Sequence, residues 1–304
     1  MNQDPVGRDR TIDVDAPPSA KQFRTPQLRD ALALFLVWLA TLFLAGPILA
    51  ALLSPFGVEF RPDTQRGFAV IVALQGGLTL AVIAWGLRRG GFDVGATLRL
   101  VPYRQWLVYL AAIVTLLAIG TLTSLAVAQL TRWLPGLEPD ALADLVRQSR
   151  FSDLGSFAVF GAAISLIPGL TEELLLRGYL LTGLRAKLGT ASAVVATAAL
   201  FALMHLEPIH MLLVLPAGVF LGYLVVRTGS LYPAIVAHAA NNLWATLESA
   251  MWQAARPEVS AEDIITGATY SPSMTLVAIG TAALGLWTIH RRTAKRPETD
   301  PSSG

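Results

Sequence analysis

The sequence predicts an all-α protein built as a polytopic transmembrane helical bundle of about eight spans. The 304 residues are 54% hydrophobic, and the mean hydropathy is +0.55. Only 14% are charged, against about 25% in soluble domains, so the chain lacks the polar surface that water on every side would require. Several apolar runs approach or exceed the roughly 20 residues that cross a bilayer. None alternates with the two-residue period of a membrane β-barrel.

The elements follow in order. Residues 1–27 are polar and proline-bearing, without the apolar core and small-residue cleavage site of a signal peptide, and are expected to be a disordered cytosolic tail. Residues 28–154 hold three N-terminal spans, about Ala31–Leu53, Gly67–Leu87 and Gln105–Trp133. Gly46-Pro47 marks a kink in the first of them, which neighbouring helices can accommodate. Within the following loop, the run from Asp140 to Arg147 reads as a short amphipathic surface helix. Residues 155–252 form the core, with spans at about Ser156–Arg185, Thr190–Leu206, Ile209–Val226 and Leu231–Trp252. Residues 253–304 supply an outer loop, an eighth span over Ser273–His290 and a basic cytosolic tail. No internal repeat is visible.

Eight spans put both termini on one side. The loops and flanks of that side carry Lys21, Arg24, Arg29, Arg88, Arg89, Arg99, Arg104, Arg185, Lys187, Arg227, Arg291, Arg292, Lys295 and Arg296. The opposite side carries Arg61, Arg66, Arg132, Arg147, Arg150 and Arg256. The bias predicts an N-in, C-in multi-pass protein of the plasma (cytoplasmic) membrane. The net charge of +2 and the scatter of basic residues over segment ends give no nucleic-acid stripe, and the absence of cysteine removes disulfides and thiolate chemistry.

One stretch conflicts with its surroundings. Glu172, Glu173 and Arg177 lie inside the fourth apolar run, where a charged side chain costs about 2.5–3.5 kcal/mol at the bilayer centre even on the most permissive scale. Polar side chains on other spans supply candidate partners: His205 on the fifth, and His238 with Asn242 on the seventh. At 1.5 Å per residue, Glu172 lies about 20 Å from Arg185 and His205 about 22 Å from Thr190. His238 and Asn242 lie about 10 and 17 Å above Leu231 on the same basis. The four groups therefore converge in one intramembrane cavity near mid-depth, displaced towards the cytosolic face. Glu173 and Arg177 are i,i+4 neighbours able to pair as structural support, and Glu172, about 100° round the helix, faces the cavity. His210 falls beyond the outer end, Asn241 points elsewhere, and Glu207 reads as a solvated loop residue.

A carboxylate and an imidazole at one depth can hold and deprotonate a water, and His238 with Asn242 can donate to a developing oxyanion. Together they describe amide hydrolysis inside a membrane. Alternatively, Glu172, His205 and His238 could hold Zn²⁺ with an open water position.

Glu172-Glu173-x-x-x-Arg177, Phe201-x-x-x-His205 and His238-x-x-x-Asn242, in this order on successive helices, resemble the CPBP family. Its members are the CAAX prenyl protease and bacteriocin-processing (Abi-type) intramembrane endopeptidases. The resemblance covers about residues 155–250 and implies Glu172 as the water-activating base assisted by His205. It further implies His238 and Asn242 as the oxyanion pair, with Glu173 and Arg177 supporting them. It leaves open a metal-free glutamate mechanism, the favoured reading, or a Zn²⁺ one. The absence of a His-Glu-x-x-His helix argues against an ordinary zincin. The partners implied are a peptide or protein substrate near the cytosolic face, possibly membrane-anchored, and the lipid bilayer. The rival class is a non-enzymatic transporter, or an immunity or scaffold protein that sequesters a peptide. A buried carboxylate suits transport, but the missing repeats do not.

Overall fold

The computed structural model describes residues 24–56, 64–134, 140–151, 153–266 and 271–294. The tail expected over residues 1–27 lies outside these up to residue 23, as do most of the loop after α1 and the last ten residues. The described chain is helical throughout, with no strand. Its helices are α1 (Leu28–Leu53), α2 (Gln65–Gly90), α3 (Val94–Leu98), α4 (Trp106–Trp133), α5 (Asp140–Gln148) and α6 (Leu154–Glu173). A π-helical segment, Leu174–Leu180, joins α6 to α7 (Leu181–Leu188). Then come α8 (Thr190–Leu203), α9 (Pro208–Thr228), α10 (Tyr232–Ala255), α11 (Ala261–Thr266) and α12 (Pro272–Thr293).

The ends of these helices carry ordinary sequence signals. The Thr64, Asp153 and Ser271 side chains accept from backbone N–H groups in the first turns of α2, α6 and α12, which satisfies donors a helix start leaves open. Pro208, Pro233 and Pro272 sit at helix starts, where the missing N–H costs nothing. Gly91 ends α2 at φ 59°, a left-handed cap that glycine adopts without strain.

Five described stretches are long and apolar enough to cross a membrane: Gln65–Gly90, Trp106–Trp133, Leu154–Leu188, Pro208–Thr228 and Pro272–Thr293. The protein is an integral membrane protein. Large apolar side chains face outward on these helices, among them Trp106, Val159, Leu166, Leu276 and Leu284, as lipid contact requires. The expected count of eight is not confirmed among the described residues. The span expected over Thr190–Leu206 stops at Leu203 after 14 residues, about 21 Å of helix against roughly 30 Å of hydrocarbon.

Hydrogen bonds fix which helix ends lie together. At one end, Asp93 N–H donates to the Arg24 carbonyl and Leu231 N–H to the Arg99 carbonyl. There too Arg227 binds the His290 carbonyl and the Thr293 hydroxyl. This end gathers the start of α1, the end of α2, α3, the start of α10 and the ends of α9 and α12. At the other end, α5 lies across the bundle. The Gln65 side chain donates to the Gln148 and Arg150 carbonyls, and Gln253 to the Val146 carbonyl. Asp144 and Arg147 pair on the outer face of α5, while Ala143 and Val146 are buried against Ala261 of α11. The amphipathic helix expected at Asp140–Arg147 is therefore present, docked on protein through its apolar face.

Candidate active site

The site is set where α6 meets α10. Gly169 brings them together: a Cβ there would lie 3.0 Å from both Cβ and backbone N of Ala239. The close approach delivers His238, the neighbour of Ala239, to the two carboxylates. A Gly169→Leu variant should separate the helices, cost about 1–3 kcal/mol through overpacking and weaken the His238–Glu173 contact. Thermal unfolding in detergent measures the first effect, and loss of any cleavage activity the second.

Glu173 and Arg177 are both 0% exposed. Arg177 Nη1 donates to Glu173 Oε1 at 2.7 Å, and Nη2 to the Gly218 carbonyl at 3.0 Å. The guanidinium also covers the Phe201 ring, 4.8 Å from its centroid. Glu173 Oε1 is in addition 2.9 Å from Nδ1 of His238. A carboxylate accepts, so Nδ1 carries the proton; Nε2 then accepts when the ring is neutral and donates when it is an imidazolium. That nitrogen faces Glu172 Oε2 at 3.9 Å, too far for a direct hydrogen bond. Glu173 thus does more than balance Arg177: it fixes the ring and tautomer of His238. Sequence spacing showed the i,i+4 pair but not this contact across helices.

The π segment begins immediately after Glu173 and contains Arg177. Such widened turns are frequent at functional sites, and every residue of this one is buried. Glu172 differs in being 24% exposed at its side chain. It lines a cavity of about 680 Å³ together with His205, His238 and Asn242. The four residues singled out by the sequence therefore share one cavity wall, and Glu173 with Arg177 stands behind it.

Phe201 links the two histidines. Its ring meets His205 edge-on at 5.1 Å and His238 at 5.7 Å. His205 Nδ1 is 2.9 Å from the Phe201 carbonyl, so this nitrogen too is the donor, leaving Nε2 free to accept. Asn242 is oriented by a proline. Pro168 has no N–H for the Ile164 carbonyl four residues earlier, and Asn242 Nδ2 donates to that carbonyl at 3.3 Å. The second amide proton of Asn242 stays available to the cavity.

Three expectations are corrected. His210 does join the group: its ring lies 4.2 Å from that of His205, and it lines the same cavity. The chain reverses at Glu207-Pro208, and that proline, three residues after His205, was the signal for the close return. Asn241 also lines the cavity. Glu207 is not solvated but 9% exposed, and its Oε2 accepts from Leu142 N–H at 3.1 Å. There it places a carboxylate in the first turn of α5, where the helix dipole favours it.

Among the described residues, no three His, Cys, Asp or Glu side chains are grouped so as to hold a metal ion. Glu172, His205 and His238 share the cavity without forming a three-donor cluster.

Comparison with protein-family models matches residues 154–244 to "Type II CAAX prenyl endopeptidase Rce1-like". The matched stretch contains all three motifs. The chain carries a domain of the CPBP/CAAX protease family. The Rce1-like domain spans 91 of the 304 residues and includes α6, the π segment and α7 to α9, with the first half of α10. No curated protein and no solved structure matches the chain.

Proposed function

We propose that the protein is an intramembrane endopeptidase in which Glu172 activates a water and His238 with Asn242 stabilises the oxyanion. The observation that carries this is the relay Arg177–Glu173–His238–Glu172 at the wall of a membrane-depth cavity, within a CAAX-type protease domain. Glu172 takes a proton from water, and the hydroxide attacks the scissile carbonyl carbon. The new C–O⁻ accepts hydrogen bonds from the free Nδ2 proton of Asn242 and from Nε2 of His238. Collapse of the tetrahedral adduct breaks the C–N bond, and the proton held on Glu172 goes to the leaving amine.

The tautomer gives His238 a condition: with Nδ1–H committed to Glu173, Nε2 donates only when the ring is an imidazolium. His205, with Nδ1–H on the Phe201 carbonyl, presents Nε2 to accept from the attacking water. What supports the metal-free reading is the spacing of the candidate ligands, which form no three-donor group among the described residues. If it is right, exhaustive chelation of the purified protein leaves cleavage unchanged, and metal analysis finds no stoichiometric ion. Loss of activity that added Zn²⁺ restores would overturn it.

The substrate is a peptide or protein reached within the membrane. Comparing membranes that contain wild-type protein or Glu172→Gln should reveal peptides that accumulate uncleaved only with the variant. Identical peptide profiles in the two membranes would reject the peptidase reading.

A further inference from the structure

Of the four candidate catalytic groups His238 lies nearest the termini end of the bundle, and the cavity leads from it towards α5. On α10 its lining runs from His238 through Asn241 and Asn242 to Glu248 and Ser249. With Ala245 between them, these positions recur every three to four residues, so one face of the helix forms a continuous wall. On α2 the lining extends to Phe68, three residues into the helix. On α5 it includes Leu142, Leu145, Val146 and Ser149, the spacing of a single face turned inward. Towards the opposite end of the bundle, the lining stops at His238, six residues into α10, about 9 Å short of its start.

That opposite end is packed shut. Leu174, Leu175, Leu176, Leu180 and Leu181 of the π segment and its continuation are 0–8% exposed, and Leu231 is 0% exposed. Leu98 closes against Gly178, where an added Cβ would stand 3.0 Å from Leu98 Cδ2. Ser230 donates to the Val101 carbonyl and Thr182 to the Thr97 carbonyl, which stitches the α3 loop across this end. A peptide approaching from the termini side would have to displace this core.

The closed end is also the end with the excess of Arg and Lys, including Arg88, Arg89, Arg185, Lys187, Arg291 and Arg292, which marks it as cytosolic. From these observations together we infer that the substrate enters from the non-cytosolic face, at the end of the bundle roofed by α5. It is a segment of an exported or membrane-anchored polypeptide, not a cytosolic one. Its chain lies along the α10 wall, whose Asn241, Asn242 and Ser249 offer amide and hydroxyl partners to peptide groups. The apolar face of α5 and Phe68 of α2 cover its side chains. This departs from the cytosolic approach expected from residue depths alone, because depth along a helix locates a side chain but not the direction in which space opens. The nature of the entering molecule rests on the peptidase reading; the direction of entry does not.

The absence of cysteine makes the test direct. Single-cysteine variants Ser249→Cys, in the cavity near the α5 end, and Lys187→Cys, exposed at the closed end, are labelled with a membrane-impermeant maleimide in right-side-out and inside-out vesicles. Ser249→Cys should react only in right-side-out vesicles and Lys187→Cys only in inside-out ones. Reaction of Ser249→Cys from the same side as Lys187→Cys, its failure to react from either side, or reaction of Lys187→Cys from outside each overturns the inference. Labelling needs no turnover, so the result stands apart from failure of the peptidase reading, which the peptide profiles of Glu172→Gln test separately.

Discussion

Glu172→Gln should lower kcat/KM for peptide cleavage by about 10²- to 10⁴-fold, the range lost when a positioned general base is removed. Its effect on stability should be small. The Glu172 side chain is partly exposed to the cavity, and its ion contact, to His238 Nε2, spans 3.9 Å, so an isosteric amide strands no tightly held buried partner. Glutamine keeps the shape and loses only the ability to take a proton. The measurement pairs steady-state cleavage of a peptide identified from the membrane profiles with thermal unfolding in detergent. Wild-type turnover in a correctly inserted variant would end the proposed mechanism. His205→Gln should also lower kcat, through loss of the Nε2 acceptor, while its Phe201 contact is partly kept. A transport role predicts the opposite pattern, with flux through proteoliposomes requiring Glu172 and no peptide product at any stage.

Much of the site could be read from local spacing. Glu173 and Arg177, Phe201 and His205, and His238 and Asn242 are each four apart, so each pair shares a helix face whatever the rest of the fold does. The helix rise then brought Glu172, His205 and His238 to compatible depths. What could not be read depends on contacts between helices. The bond from Glu173 to His238 requires α6 and α10 to touch at Gly169 and Ala239. The role of Asn242 as partner to the Ile164 carbonyl depends on Pro168, a residue whose sequence signal is only a kink. His210 was set aside as lying beyond the outer end of the fifth span, whereas α8 ends at Leu203 and the turn to Pro208 brings the His210 ring back beside that of His205. The direction of the cavity was least legible. It is determined by which end of the bundle fills with leucine, and the sequence shows leucine at both.

Arg177→Met should destabilise the protein by about 3–5 kcal/mol, the cost of leaving one charge of a buried pair uncompensated. It removes the 2.7 Å bond to Glu173, the bond to the Gly218 carbonyl and the cover over Phe201. Glu173→Gln alone should cost a similar amount, because it strands the guanidinium instead. In the double variant Glu173→Gln/Arg177→Met no buried charge remains on this helix face, and much of the stability should return, giving a strongly non-additive mutant cycle. Activity should not return with it. Glutamine can still accept from His238 Nδ1–H, but it cannot balance an imidazolium, so the loss in kcat should persist. It could approach the roughly 10⁴-fold seen when an orienting carboxylate beside a catalytic histidine is neutralised. Unfolding temperatures and kcat for the four proteins of the cycle separate the two roles of Glu173. Recovery of stability and activity together would reduce it to half of an ion pair. Recovery of stability alone identifies it as the positioning residue for His238.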